Sequence, residues 1–402
     1  MDMLNGWRTR RILAGGCEAA NQIDKCWRCK PDWAENRKAL AQCVKGFAAG
    51  TTGGAAGEIY TVTDPSDDDV AKPKEGTLRW AASRTKPLWI IFDKDMVITL
   101  KNELVVASDK TIDGRGVKVE ICKGSSLTLY EVKNVIVHGL NIHDTIPTPA
   151  ATIATGEGPP IPRFKSDGDG IMVYGSCKIW IDHCTFAHGS DGLVDVTMGS
   201  TMVTISNCKF SNHDTVMLLG GADANTQDQN MKVTVAYNVF GPGCVQRMPR
   251  VRFGFFQIVN NCYDKWKMYA ISGTMKPTIL SQGNKYVAPD DPNAKQVTMR
   301  QANDPEVGVW KSTGDLFENG AAFTDSGGEP KLTPEQQGGM IAAEPAASVP
   351  ALTKDAGVLT CCPGTPYDHA IGHSCIEGFV LELELLEEAL TVVVRVVINR
   401  IS

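Results

Sequence analysis

Six stretches of eight residues decide the fold: Val135 to Ile142 (VIVHGLNI), Ile179 to Phe186 (IWIDHCTF), Val203 to Phe210 (VTISNCKF), Val233 to Phe240 (VTVAYNVF), Phe256 to Tyr263 (FQIVNNCY) and Ile279 to Tyr286 (ILSQGNKY). They align on one template, and their starts are 44, 24, 30, 23 and 23 residues apart. Runs rich in Val, Ile, Thr and aromatics, separated by Gly and Asn turns at a period in the twenties, are the mark of a coiled, stacked β architecture. A sandwich or propeller would tie adjacent runs with short hairpin turns such as Asn-Gly, and these are scarce.

In such a solenoid, residues at one template position stack about 4.8 Å apart on successive coils. Asn238, Asn261 and Asn284 share the sixth position, which predicts an asparagine ladder satisfying buried turn backbone. Cys184 and Cys208 hold that position on the two preceding coils and read as stacked free thiols packed as small hydrophobes, with a disulfide as the alternative.

Outside the repeat, Asp32 as cap, Glu35 completing a capping box, and the apolar Leu40, Cys43, Val44 and Phe47 predict a short N-terminal helix. Cys26-Trp-Arg-Cys29 has zinc or redox spacing, but no second pair with ligand spacing and no βαβ pattern accompanies it. A structural disulfide from this segment to Cys43 is the expectation. The Pro- and Gly-dense segment from Thr145 to Lys165 reads as a long surface loop. The net charge of −6 argues against a nucleic-acid partner. No window of about 18 apolar residues predicts a membrane span, and the first twenty residues hold no apolar run of signal-peptide length.

The densest acidic constellation is Asp167-Gly-Asp169-Gly followed, 24 residues on, by Asp191-Gly-Leu-Val-Asp195. Positions i and i+2, or i and i+4, of a strand share a face, so the four carboxylates are expected to converge. Like charges gathered in this way call for a hard divalent cation with oxygen ligands, and calcium is the first candidate. Downstream lie Arg247, Arg250 and Arg252, three guanidinium groups suited to bidentate binding of carboxylates. Metal and arginines together outline a groove for an anionic sugar.

Several segments resemble the plant pectate lyases of polysaccharide lyase family one: CWRCKPDWAENR (26 to 37), PLWIIFDKDMVITL (87 to 100), KTIDGRG (110 to 116), SDGDG (166 to 170), SDGLVDV (190 to 196) and QRMPRVRFG (246 to 254). The likeness covers residues 17 to 365 and is nearest to the composite-pollen group that includes ragweed and mugwort allergens. It implies an all-β, single right-handed parallel β-helix over 17–365, with an N-terminal tail (1–16) and an atypical C-terminal tail (366–402). It also implies calcium-dependent β-elimination of α-1,4-polygalacturonate, secretion to the cell wall and a monomer. By resemblance Asp169, Asp191 and Asp195, with Asp167 in addition, ligate calcium, Arg247 is the base, and Arg252 with Arg250 binds substrate.

One departure bears on activity. Where the family usually has a substrate-binding lysine, this chain has Thr215, and loss of such a charged contact costs on the order of 2 kcal/mol. A pectin-binding homologue with weak or no catalysis is therefore the alternative. A hydrolase of the polygalacturonase type is disfavoured because its Gly-His-Gly segment is absent.

Overall fold

The computed structural model describes residues 19–156, 158–300 and 308–359, with the backbone of Cys375–Ile376 and Phe379–Val380. The N-terminal tail lies outside the described residues, as does the C-terminal tail apart from those two short strands. Three parallel sheets dominate, with ten, nine and eight strands among the described residues. Each full coil gives one strand to each sheet, as in Cys177–Asp182, Thr185–Ala187 and Val194–Thr197. Parallel crossovers are right-handed, and the chain winds as a single right-handed parallel β-helix.

The template places the coils residue for residue. Its first positions, Val135, Ile179, Val203, Val233, Phe256 and Ile279, pair in one row of the ten-stranded sheet. Its eighth positions, Ile142, Phe186, Phe210, Phe240, Tyr263 and Tyr286, pair in one row of the nine-stranded sheet. From Phe186 on, the rings stack face to face with centroids 4.6–5.1 Å apart inside the helix.

Between these rows every coil turns in the same way. The fifth position is left-handed on all six: Gly139 (φ 74°), His183 (49°), Asn207 (51°), Tyr237 (59°), Asn260 (52°) and Gly283 (61°). The turn that follows buries backbone groups, and the sixth-position asparagines satisfy them. Asn238 N and Nδ2 both donate to Asn261 Oδ1 (2.9 Å each), Asn261 N and Nδ2 donate to Asn284 Oδ1 (2.8 and 3.0 Å), and Asn261 Nδ2 also reaches Val235 O (2.8 Å). Cys184 and Cys208 are free and fully buried, as expected of stacked thiols.

The outer face of the ten-stranded sheet is covered as well. Trp89, Ile136, Trp180 and Tyr237 project outward and pack under Trp27, Trp33 and Leu40 of the N-terminal segment. This segment corrects one expectation. The residues from Arg37 to Cys43 form a 3₁₀ helix with no side-chain cap, and the α-helix is the single turn Asp24–Trp27. Leu40, Cys43, Val44 and Phe47 are buried as expected, but they pack on the outer face of the ten-stranded sheet rather than along one helical stripe. Cys26 is disulfide-bonded to Cys43 with Cα atoms 5.6 Å apart, and Cys29 is also disulfide-bonded, which rules out a thiol pair at this motif.

His183 Nε2 lies 2.8 Å from Asp24 Oδ1, and Arg28 bridges Asp24 and Asp355 at 2.8 and 2.9 Å, clamping the segment down. Burial alone would raise the Asp24 carboxyl, but the charges of His183 and Arg28 overcome it and leave it below the usual range. A second correction concerns 145–165: within it, Ala151–Ile153 and Ile161–Arg163 pair as an antiparallel hairpin.

Asn261 is fully buried and its side chain makes five hydrogen bonds, accepting from Asn238 N and Nδ2 and donating to Val235 O, Val259 O and Asn284 Oδ1. Asn261→Ala is expected to lower the unfolding free energy by roughly 3 kcal/mol, since it leaves several buried partners unpaired. Exposed Asn293→Ala serves as the control in denaturant titrations, and equal losses in the two variants would remove the ladder from the account of stability.

Candidate active site

The eight-stranded sheet carries the acidic and basic residues on its outer face. One lateral row runs Thr128, Met172, Asp195, Leu218, Arg250, Ser272. Val196 and Val251, the next residues along their strands, point into the core and are fully buried. Asp195 and Arg250 thus stand on the same side, two strands apart, or roughly 10 Å.

The four aspartates meet, but not by the strand geometry the sequence suggested. Only Asp195 lies in a strand, Val194–Thr197; Asp167, Asp169 and Asp191 occupy the turns that precede the strands. Those turns stack because each coil repeats the one below: Gly170 N donates to Gly192 O and Leu193 N to Val216 O, both at 3.0 Å. Asp167, Asp169 and Asp191 each bring an oxygen within 4.8 Å of the others. Asp195 adjoins them across Gly192, where a Cβ would collide with Asp195 Oδ1 and crowd Asp169 Oδ1 at 3.1 Å. Glycine is what lets the two buried carboxylates face the same space.

Asp169 Oδ1 accepts from Gly192 N at 2.8 Å, whereas Asp169 Oδ2 and Asp195 Oδ1 are buried with no hydrogen-bond donor among the described residues. Burial, reinforced by Asp195, Asp167 and Asp191, holds the Asp169 carboxyl well above its ordinary range. Burial and then the charge of Asp191 push Asp195 up to about 8. An all-carboxylate donor set with orphaned buried oxygens fits a hard divalent cation.

Arg247, grouped with Arg250 and Arg252 in the sequence, sits instead in the turn before their strand, at φ 59°, with its Nε buried and unpartnered. Its carbonyl accepts from Met217 N at 2.7 Å. Thr215 lies between this turn and the acidic one: it bridges Gln246 in parallel, and its Oγ1 donates to Asp191 O at 3.4 Å. Arg252 donates from Nε to Asp223 Oδ1 (2.7 Å) and from Nη1 to Gly220 O (2.9 Å). Burial and repulsion by Arg252 and Arg247 hold Arg250 below the usual guanidinium range.

Two elements of the site were not read from the sequence. His213 Nε2 hydrogen-bonds Asp191 O and props the acidic turn; a lone His following a coil strand gave only a faint signal. Beside Asp167 and Asp169 opens a cavity of about 250 Å³ lined by Tyr130, Arg163, Phe164, Met172 and Tyr174. Tyr130 and Tyr174 stack at 4.9 Å, Arg163 covers Tyr130 at 4.1 Å, and Phe164 is 89% exposed. The hairpin supplies Arg163 and Phe164, so reading 145–165 as plain loop concealed this wall.

Comparison with known proteins agrees with this architecture. A family model described as pectate lyase matches residues 34–324. Pectate lyase 4 of Ambrosia artemisiifolia is 58% identical over 361 residues, covering 89% of this chain and 90% of that protein. The pectate lyase of Lilium longiflorum is 54% identical over 363 residues, with 89% and 83% covered. The crystal structure of jun a 1, the major allergen from cedar pollen, superposes with a TM-score of 0.82 at 45% identity, covering 85% of this chain and all of that one. The chain belongs to the pectate lyase family, which are polysaccharide lyases.

The raised carboxyls set a pH dependence. A folded-state value above the unfolded one gives stability that is present below about pH 4 and lost as pH rises toward about 8. In chelator, Asp195→Asn is therefore expected to be more stable than the parent at pH 8, on the order of 2 kcal/mol, and to converge with it near pH 4. Thermal melts across this range test it, and a parent–variant difference independent of pH would contradict the repulsion.

Proposed function

We propose that this chain is a calcium-dependent pectate lyase that cleaves α-1,4-polygalacturonate by β-elimination in the cell wall, acting as a secreted monomer. The observation that carries the reading is the pair of orphaned buried oxygens, Asp169 Oδ2 and Asp195 Oδ1, gathered with Asp167 and Asp191 two strands away from Arg250, which shares a lateral row with Asp195. In this reading Asp167, Asp169, Asp191 and Asp195 hold the calcium. Bound there, the ion supplies Lewis acidity that draws charge from a uronate carboxylate and so acidifies the neighbouring C5 proton.

The arginines do the rest. Arg250 and Arg252 bind substrate carboxylates through charge-assisted hydrogen bonds, with Asp223 holding Arg252 in place. Arg247 accepts the C5 proton, the C5–H electron pair forms the C4–C5 double bond as the bond from C4 to its oxygen breaks, and the departing oxygen takes a proton from water. Guanidinium groups resist deprotonation in water. In this cluster burial and the neighbouring guanidinium groups hold Arg250 below the usual range. The stacked tyrosines and Phe164 offer apolar faces along which the chain of sugars can lie.

Thr215 favours a second reading, a pectin-binding protein with little catalysis. Its short hydroxyl is spent on Asp191 O and presents no positive charge between the acidic and basic turns.

Incubation with polygalacturonate separates the readings. Ultraviolet absorbance from unsaturated product is expected to appear with calcium, to vanish in chelator, and to fall at least 100-fold in Arg247→Ala. Binding without absorbance would leave the second reading, and reducing ends without absorbance would mean hydrolysis. Thr215→Lys is expected to lower KM about 10-fold or more, a charged contact being restored; an unchanged KM would take Thr215 out of the argument.

A further inference from the structure

The nine-stranded sheet carries a second group of ligating side chains, remote in type from the all-oxygen cluster. Val119–Cys122 and Asn141–His143 are neighbouring strands on successive coils, with Cys122 directly opposite His143. Ile121 and Ile142 point into the core, so Glu120, Cys122 and His143 share the outward face. One ligating atom from each lies within 4.8 Å of the other two. Cys122 is a free thiol.

Two neighbours orient the group. His143 Nδ1 lies 2.7 Å from Asp144 Oδ2, which fixes the ring and leaves Nε2 facing Glu120 Oε2 at 3.8 Å. Lys118 Nζ holds Glu120 Oε1 at 2.5 Å and leaves Oε2 open. A carboxylate behind a histidine whose other nitrogen points at two further ligands is the usual support of a bound metal. The side chains of Glu120 and His143 are 17% and 23% exposed, so an ion can reach them from solvent.

We propose that Glu120, Cys122 and His143 form a zinc-class metal site in which sulfur, imidazole nitrogen and carboxylate oxygen take three positions and water the fourth. A mixed sulfur, nitrogen and oxygen set selects zinc over calcium, which prefers oxygen alone. Binding releases the Cys122 thiol proton to solvent, and small side-chain rotations close the ligands to tetrahedral distances. Because the ligands belong to two coils, the ion staples those coils together. The site is independent of the acidic cluster and of the reaction proposed there.

Cobalt(II) serves as the probe, since only thiolate ligation gives it a near-ultraviolet charge-transfer band. The intact chain is expected to develop this band with one equivalent of cobalt and to lose it when zinc is added. Cys122→Ser should abolish it, and His143→Gln should weaken binding about 10-fold or more. Asp144→Asn, which only orients the ring, should weaken it roughly 10–100-fold. Zinc should also raise the melting temperature of the parent and not that of Cys122→Ser, because binding to the folded state alone adds stability. Folded parent protein with no thiolate band, or a band that survives in Cys122→Ser, would overturn the assignment. His143→Gln, altered at a partly exposed position, keeps the test open if Cys122→Ser folds poorly.

Discussion

Register is the constraint on which the rest depends. Parallel strands hydrogen-bonded to both neighbours about 4.8 Å away permit no drift from coil to coil, so every coil must turn at the same residue. Six successive coils do so with a left-handed fifth position, though only two of the six carry glycine there. A non-glycine residue in that conformation costs roughly 1 kcal/mol, and the ladder at the next position offsets it by pairing backbone that would otherwise be buried and bare. His183 and Tyr237 accept the strain because their side chains are used elsewhere, His183 on Asp24 and Tyr237 as acceptor for Gln22.

Whatever depends on stacking was legible in the sequence. The repeat, the asparagine ladder, the paired thiols and the convergence of four aspartates all follow from one rule, that equal template positions meet. What was hidden depends on contacts the rule does not contain. The left-handed turn was invisible at His183 and Tyr237, which carry no turn signal. The residues from Arg37 to Cys43 looked helical because apolar spacing cannot distinguish a helix packed by its own stripe from a 3₁₀ segment draped over a sheet. All four aspartates were expected on strands, and Asp195 is on one, but Asp167, Asp169 and Asp191 sit in stacked turns, where Gly192 leaves room for them to meet it. Residue type alone grouped Arg247 with Arg250 and Arg252, and only the family resemblance set it apart as the base; the backbone places it in the turn facing Thr215 rather than on their strand.

The placement of the site follows from which faces are free. The ten-stranded sheet is covered by the tryptophan-rich N-terminal segment, held by a disulfide and by the buried Asp24, Arg28 and His183 cluster. Among the described residues, the eight-stranded sheet has no such cover over its acidic and basic row, so polar side chains there can stay hydrated or meet a ligand. The hairpin of 151–163 walls one side of that row without closing it, and this is what turns a flat sheet into a groove.

Opposite charges a few ångströms apart would ordinarily pair and close such a groove. Here Leu218 stands between Asp195 and Arg250 in the lateral row, an apolar spacer one strand wide on either side. At about 10 Å and an effective dielectric constant of about 20, the attraction of one such pair is about 1.7 kcal/mol, against about 4 kcal/mol at contact. The carboxylates therefore remain unsatisfied among themselves, and among the described residues two of their buried oxygens lack a donor and Arg250 has no carboxylate within ion-pair distance. Both halves stay open to something that spans the gap. A chain of acidic sugars bridged by a cation has that charge pattern, and the spacing imposed by parallel strands sets the scale at which it must be met.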